Sequence, residues 1–107
     1  MNGETLMIMT TTFPDRPAAE KAARLLVDAG LAVCAQVGAD LTSFYRWEGQ
    51  VQQDQEVAVV FKVLGDRFDL FCGELNLQHP YEVPQMVAWP ATYVAKAYAQ
   101  WAAGKGK

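Results

Sequence analysis

The chain has 107 residues and a mass of 11.8 kDa, with 51% hydrophobic residues, 20% charged residues and a formal net charge of −3. These values predict one globular domain over residues 1–107. The acidic balance excludes the basic surface by which proteins bind phosphate backbones, so nucleic acid is not an expected partner. The N-terminus carries neither a basic leader nor a long apolar span, which predicts a cytosolic protein without a membrane segment.

The first part of the chain alternates between apolar runs and an amphipathic segment. Residues 5–12 form an apolar run that predicts a strand buried on both faces. Asp15 is placed to cap a helix that Gly30 ends. Residues 31–37 predict a second strand, and this strand continues past a bulge at residues 38–40 into the first arm of a hairpin.

The stretch from residue 41 to residue 63 predicts a long β-hairpin with its turn at Gly49, because alternate residues of each arm share one face. Extended chain from residue 31 to residue 47 reaches on the order of 50 Å, whereas a helix of about 15 residues covers only about 22 Å. The helices therefore cannot cover the far end of the hairpin. Because that end carries aromatic side chains, we expect other copies of the chain to cover it.

The second part of the chain repeats the alternation. Asp66 is placed to cap a second helix that ends near Gln78. Residues 79–84 predict a loop, residues 85–89 predict a short edge strand, and a third helix is predicted from Thr92. The order strand, helix, strand, strand, helix, strand predicts an α+β fold, a ferredoxin-like βαββαβ sandwich with an extra C-terminal helix.

Few residues of this chain are suited to catalysis or to metal binding. His79 is the only histidine, and the only serine, Ser43, lies in mid-strand, so a serine triad is not expected. Cys34 and His79 are ligands of the kind that copper or zinc prefers, and a homo-oligomer can assemble a site that one chain lacks. Glu56 and Lys62 share a strand face and are predicted to pair across a groove. The alternatives stay open: a structural thiol, a loop-end histidine bonded to the backbone, and solvated charges.

Three segments follow one another in a characteristic order. They are Ala32-Val33-Cys34-Ala35, then Ser43-Phe44-Tyr45-Arg46-Trp47-Glu48-Gly49 followed by Glu56-Val57 and Lys62, and then His79-Pro80-Tyr81-Glu82-Val83-Pro84. In this order and spacing, and together with Tyr98 and Trp101, they resemble the CutA divalent-cation tolerance family over nearly the whole chain. The resemblance implies a ferredoxin-like subunit, a homotrimer held by the long hairpins and the C-terminal segments, and an architecture similar to the PII signalling proteins.

The resemblance also implies a function. The expected protein is a non-enzymatic cytosolic homotrimer, associated with tolerance of copper and other divalent cations, that binds such an ion weakly in a cleft between subunits. Two alternatives stay open: a PII-like sensor whose cleft holds an anion or metabolite next to Lys62, and a structural trimer that anchors partner proteins. The residues expected to line the cleft are Tyr45, Trp47, Glu56, Lys62 and Tyr81, with Cys34 and His79 as candidate metal ligands.

Overall fold

The structure, a computed structural model, describes residues 2–104. Its four strands form one antiparallel sheet in the order β2-β3-β1-β4. This order confirms the predicted ferredoxin-like topology and places β4 at an edge. The elements are β1 (Leu6–Phe13), α1 (Arg16–Asp28), β2 (Cys34–Trp47), β3 (Gln50–Leu64), α2 (Phe68–Gln78), β4 (Val87–Pro90) and α3 (Lys96–Ala102), with a 3₁₀ turn (Gly65–Arg67) before α2.

Helices α1 and α2 pack on one face of the sheet and form the core with it. Every second residue of β3 from Val57 to Val63 is buried, β1 contributes further buried residues, and the fully buried Phe61 meets Phe71 of α2 edge to face at 5.0 Å. Asp15 caps α1 as predicted, since the backbone N–H of Ala18 donates to its carboxylate at 2.9 Å. Gly30 follows the helix at a φ of 73°, which only glycine adopts readily.

The starts of the other two helices differ from the prediction. Asp66 does not cap α2, because it lies in the 3₁₀ turn, where its backbone N–H donates to the carbonyl of Gly3. Helix α3 begins at Lys96 and not at Thr92. The backbone N–H of Ala91 donates to the carbonyl of Leu6, so the chain still follows β1 after β4 and turns into a helix only later.

The hairpin of β2 and β3 is the longest feature of the subunit. Its register shifts between Val37 and Asp40, at the predicted bulge, and the strands are joined through Glu48 and Gly49, both with positive φ. The subunit measures 47 × 25 × 23 Å, whereas the 13 residues of α1 span only about 20 Å. The far end of the hairpin therefore extends beyond the helices, and Phe44 and Val51 there are 67% and 66% exposed.

Candidate binding cleft

A cleft of about 650 Å³ opens between the hairpin and the loop that joins α2 to β4. Its volume lies within the range of roughly 300–1,000 Å³ that is usual for small-molecule sites. The hairpin wall belongs to the sheet face opposite α1 and α2, because Glu56 alternates with the buried Val57 along β3. The residues that line it are Thr12, Ser43, Phe44, Tyr45, Trp47, Asp54, Glu56, Tyr81, Glu82, Val83, Pro84 and Gln85.

Two pairs of phenol and carboxylate groups organise the cleft. The hydroxyl of Tyr45 donates to Asp54 on the neighbouring strand, and the hydroxyl of Tyr81 donates to Glu56 Oε2 at 2.7 Å. Thr12 Oγ1 donates to the same Glu56 oxygen at 3.1 Å. The bond to Asp54 raises the pKa of Tyr45, while burial and the bond to Glu56 raise the pKa of Tyr81. Both phenols therefore stay protonated and hold the carboxylates in place.

The cleft carries negative charge. Asp54, Glu56 and Glu82 line it, and within residues 2–104 no lysine, arginine or histidine does so. A concave surface lined by one sign of charge attracts ions of the opposite sign. The cleft therefore favours cations over anions.

His79 lies beneath the loop and holds its first turn. The ring is only 7% exposed and stacks on Phe13 with centroids 4.3 Å apart. Its Nε2 lies 2.8 Å from the carbonyl oxygen of Thr12 and 3.2 Å from Thr11 Oγ1, and the backbone N–H of Tyr81 donates to Nδ1 at 3.2 Å. Because a carbonyl only accepts, we infer that Nε2 carries the proton and that Nδ1 uses its lone pair on Tyr81. The histidine bonded to the backbone, one of the alternatives above, is what the structure shows.

The burial of His79 predicts a pH dependence of stability. Burial lowers the pKa of His79 below its ordinary value, against smaller opposing effects of the Thr12 carbonyl and of Glu56. The unfolded chain, with a histidine pKa of about 6.5, then binds more protons than the folded chain just below that pH. We expect the free energy of unfolding to be highest above about pH 6.5 and to decrease as the pH falls through the pKa of His79 in the folded chain.

Urea denaturation between pH 8 and pH 5 measures this effect. The variant His79→Gln is the control, because this chain has one histidine and glutamine does not titrate. The native protein should lose more stability than the variant between pH 7 and pH 5.5. If the stabilities of the native protein and the variant depend on pH in the same way, His79 has the same pKa in the folded and unfolded states.

The structure brings four of the five predicted cleft residues together, namely Tyr45, Trp47, Glu56 and Tyr81. Asp54 was missed, because residues 50–55 look like a solvated strand opening in the sequence. The sequence feature that indicates Asp54 is its position two residues before Glu56, because residues two apart in a strand lie on the same face.

Lys62 is the predicted cleft residue that lies elsewhere. It shares a strand face with Glu56, but six positions along β3 separate them by roughly 20 Å. Its Nζ donates to Gln36 Oε1 at 3.2 Å and lies 5.6 Å from the ring centroid of Tyr98 in α3. The predicted pairing of Glu56 with Lys62 is therefore wrong within one chain, since Glu56 is held by Tyr81 instead.

The candidate metal ligands Cys34 and His79 do not meet within one chain. Cys34 pairs with Lys62 in the sheet register, on the face away from the core. His79 contacts the buried side chains of Thr11 and Phe13, on the opposite face. Within the part of the chain that the structure describes, no group of three or more His, Cys, Asp or Glu side chains is arranged to hold a metal ion.

Curated relatives are similar to this chain over most of its length. The "Divalent-cation tolerance protein CutA" of Thermus thermophilus is 34% identical over 94 residues, which is 88% of this chain and 91% of that protein. The "Protein CutA, chloroplastic" of Arabidopsis thaliana is 32% identical over 89% of this chain, which spans 52% of that relative. These are not enzyme names. One of them refers to a chloroplast, so the predicted cytosolic location is not confirmed, and no helix within residues 2–104 is long and apolar enough to cross a bilayer.

The fold and a family model agree with these relatives. The crystal structure of CutA1 from Shewanella sp. SIB1 superposes with a TM-score of 0.90 at 32% identity and covers 94% of each chain. The family model "CutA1 divalent ion tolerance protein" matches residues 7–105. The chain therefore belongs to the CutA1 divalent ion tolerance family, as the resemblance of its three segments predicted.

Proposed function

We propose that this chain acts in divalent-cation tolerance as a non-enzymatic homotrimer that binds copper or another divalent cation weakly at the cleft. The observation that carries the proposal is the charge of the cleft. Asp54, Glu56 and Glu82 line it without a basic residue among the described ones, in a chain of a family named for divalent ion tolerance. The tyrosine hydroxyls keep two of these carboxylates in place without neutralising them.

The apolar surface of one subunit supports assembly. Phe44 and Val51 at the far end of the hairpin are about two-thirds exposed, Trp89 on the edge strand is 47% exposed, and Tyr93 is 82% exposed. Exposed apolar side chains of this kind mark interaction sites in soluble proteins, and homo-oligomers bury them symmetrically. We place three copies around the hairpins because the family resemblance implies a trimer.

The proposed metal site needs ligands from more than one chain. One chain holds no group of three ligating side chains among its described residues, so a single subunit would bind a metal ion weakly. Of the two candidate soft ligands, Cys34 is the accessible one, since it is half-buried on the face of the sheet away from the core. His79 would first have to release the backbone N–H of Tyr81.

A copper titration tests the proposal. We expect the native protein to bind copper, and the variant Cys34→Ser to bind it at least tenfold more weakly, because thiolate is the ligand that copper prefers. Isothermal titration calorimetry measures both affinities in anaerobic buffer without added reductant, because a reductant converts Cu²⁺ to the monovalent ion, and Zn²⁺, which has no redox chemistry, is titrated in parallel. The variant His79→Ala, titrated beside them, tests the second candidate ligand.

The other thiol of the chain provides a matched control. Cys72 on α2 is also half-buried, and burial raises the pKa of its thiol, so Cys72→Ser should bind copper like the native protein. Unchanged affinity in both Cys34→Ser and His79→Ala would remove these residues as ligands. A native protein that binds no divalent cation would contradict the proposed binding itself.

The PII-like alternative is not favoured by the geometry. An anion would need the charge of Lys62, and that side chain lies beside Gln36 and Tyr98, away from the acidic cleft. A role in anchoring partner proteins and a cytosolic location stay predictions.

A further inference from the structure

The cleft is far larger than a metal ion. Its volume of about 650 Å³ compares with roughly 30 Å³ for one water molecule in the liquid. A bound divalent cation requires several oxygen atoms that converge at roughly 2.0–2.6 Å. The carboxylates among the described residues of one chain do not converge in this way, so their charge lines a space that accommodates a molecular ligand.

Aromatic residues from both walls line this space. Tyr45 and Trp47 come from the hairpin, and Tyr81 comes from the loop. In one subunit Trp47 is 47% exposed and Tyr45 is 41% exposed, so neither ring is enclosed by its own chain. The face of such a ring attracts a cation that lies within about 6 Å of its centroid, and tryptophan does so most strongly.

The carboxylates of the cleft already accept hydrogen bonds from the protein. Asp54 accepts from Tyr45, and Glu56 Oε2 accepts from both Tyr81 and Thr12. They therefore supply negative charge with part of their accepting capacity used. A primary ammonium group needs acceptors for three N–H donors, whereas a fully alkylated ammonium group has none and needs only charge and apolar contact.

We propose that the cleft binds the alkylated ammonium group of a small organic cation, held between the rings of Tyr45, Trp47 and Tyr81 and the charges of Asp54 and Glu56. This inference rests on the proposed function in one respect, that the cleft is the cation site of the assembled protein. It differs in the chemical class of the ligand.

Two probes of nearly the same shape test the charge requirement. Tetramethylammonium chloride and neutral tert-butyl alcohol are titrated into the native assembled protein at low, constant ionic strength, with binding measured by calorimetry. We expect tetramethylammonium to bind at least tenfold more tightly than the alcohol. Equal affinities for the two probes, or no binding of tetramethylammonium, would overturn the inference.

Two tryptophans of equal exposure test the location. Trp47 in the cleft and Trp89 on the edge strand are each 47% exposed. Trp47→Leu should weaken tetramethylammonium binding about fivefold, which is the effect of losing one favourable cation–π contact. Trp89→Leu, shown by light scattering to keep the mass of the native protein, should leave it unchanged. Equal losses in the two variants would exclude the cleft.

A third variant separates recognition from folding. Trp47→Phe keeps an aromatic face and should stay within about threefold of the native affinity. If it loses as much as Trp47→Leu, the ring does not contact the cation. Copper titrated into the same native preparation tests the proposed function separately. Copper binding without tetramethylammonium binding overturns only this inference, and the reverse result overturns only the metal site.

Discussion

Replacement of Phe44 by aspartate is expected to dissociate the assembled protein into 11.8 kDa monomers. Phe44 is 67% exposed in one subunit, so a carboxylate there costs little in a monomer. In the proposed trimer the same carboxylate would be buried against another copy, where an unpaired charge costs several kcal/mol. The apolar contact of the ring, about 2 kcal/mol, would be lost as well. Light scattering coupled to size exclusion measures the change from roughly 35 kDa, three chains, to one.

Leu77 provides the matched control for this substitution. It lies on α2, away from the far end of the hairpin, and is 77% exposed, even more than Phe44. If assembly uses the hairpin, Leu77→Asp should keep the mass of the native protein. A native protein that runs as a monomer, or two variants that dissociate equally, would show that the hairpin does not hold the copies together.

Replacement of Phe61 by alanine is expected to cost about 3–5 kcal/mol of stability, the usual loss for a large aromatic side chain in a core. Phe61 is fully buried near the C-terminal end of β3, pairs with Met9 in the sheet register and contacts the ring of Phe71. Because small domains have only about 5–15 kcal/mol in total, the variant should unfold at a much lower urea concentration.

The measurement compares the native protein, Phe61→Ala and Phe61→Leu at one fixed protein concentration, since the proposed assembly would make stability depend on concentration. Phe61→Leu keeps most of the volume and should lose less than about 2 kcal/mol. A loss below 1 kcal/mol for Phe61→Ala would mean that the core collapses around the missing ring.

The fold was predictable because its signals are local. The carboxylate of Asp15 satisfies an N–H three residues away, and Gly30 and Gly49 adopt the positive φ values that their positions require. Strand alternation identified the face of β3 that packs on the helices. Helix starts were predicted less well, since the 3₁₀ turn at Asp66 and the extended chain before Lys96 depend on backbone bonds to Gly3 and Leu6.

The candidate site was predictable only in part. Tyr45, Trp47 and Glu56 lie together in the cleft of one chain, because alternation along the hairpin arms puts them on one face. Lys62 satisfies the same alternation and yet lies outside the cleft. Periodicity predicts which face of the strand a residue lies on, but it does not predict which part of that face the loop contacts. The role of Asp54 in the cleft depends on a contact between strands, because the hydroxyl of Tyr45 donates to its carboxylate.

The sequence by itself determined the order of the elements, the sheet with two helices on one face, and a hairpin longer than those helices, because each follows from local periodicity and chain geometry. Only the tertiary structure decided the chemistry of the cleft. His79 bonds to Thr12, 67 positions away, and this contact turns a candidate metal ligand into the anchor of the loop that carries Tyr81. Cys34 lies on the other face of the sheet from the His79 ring, because it pairs in register with Lys62, which faces away from the core that Phe13 and His79 share.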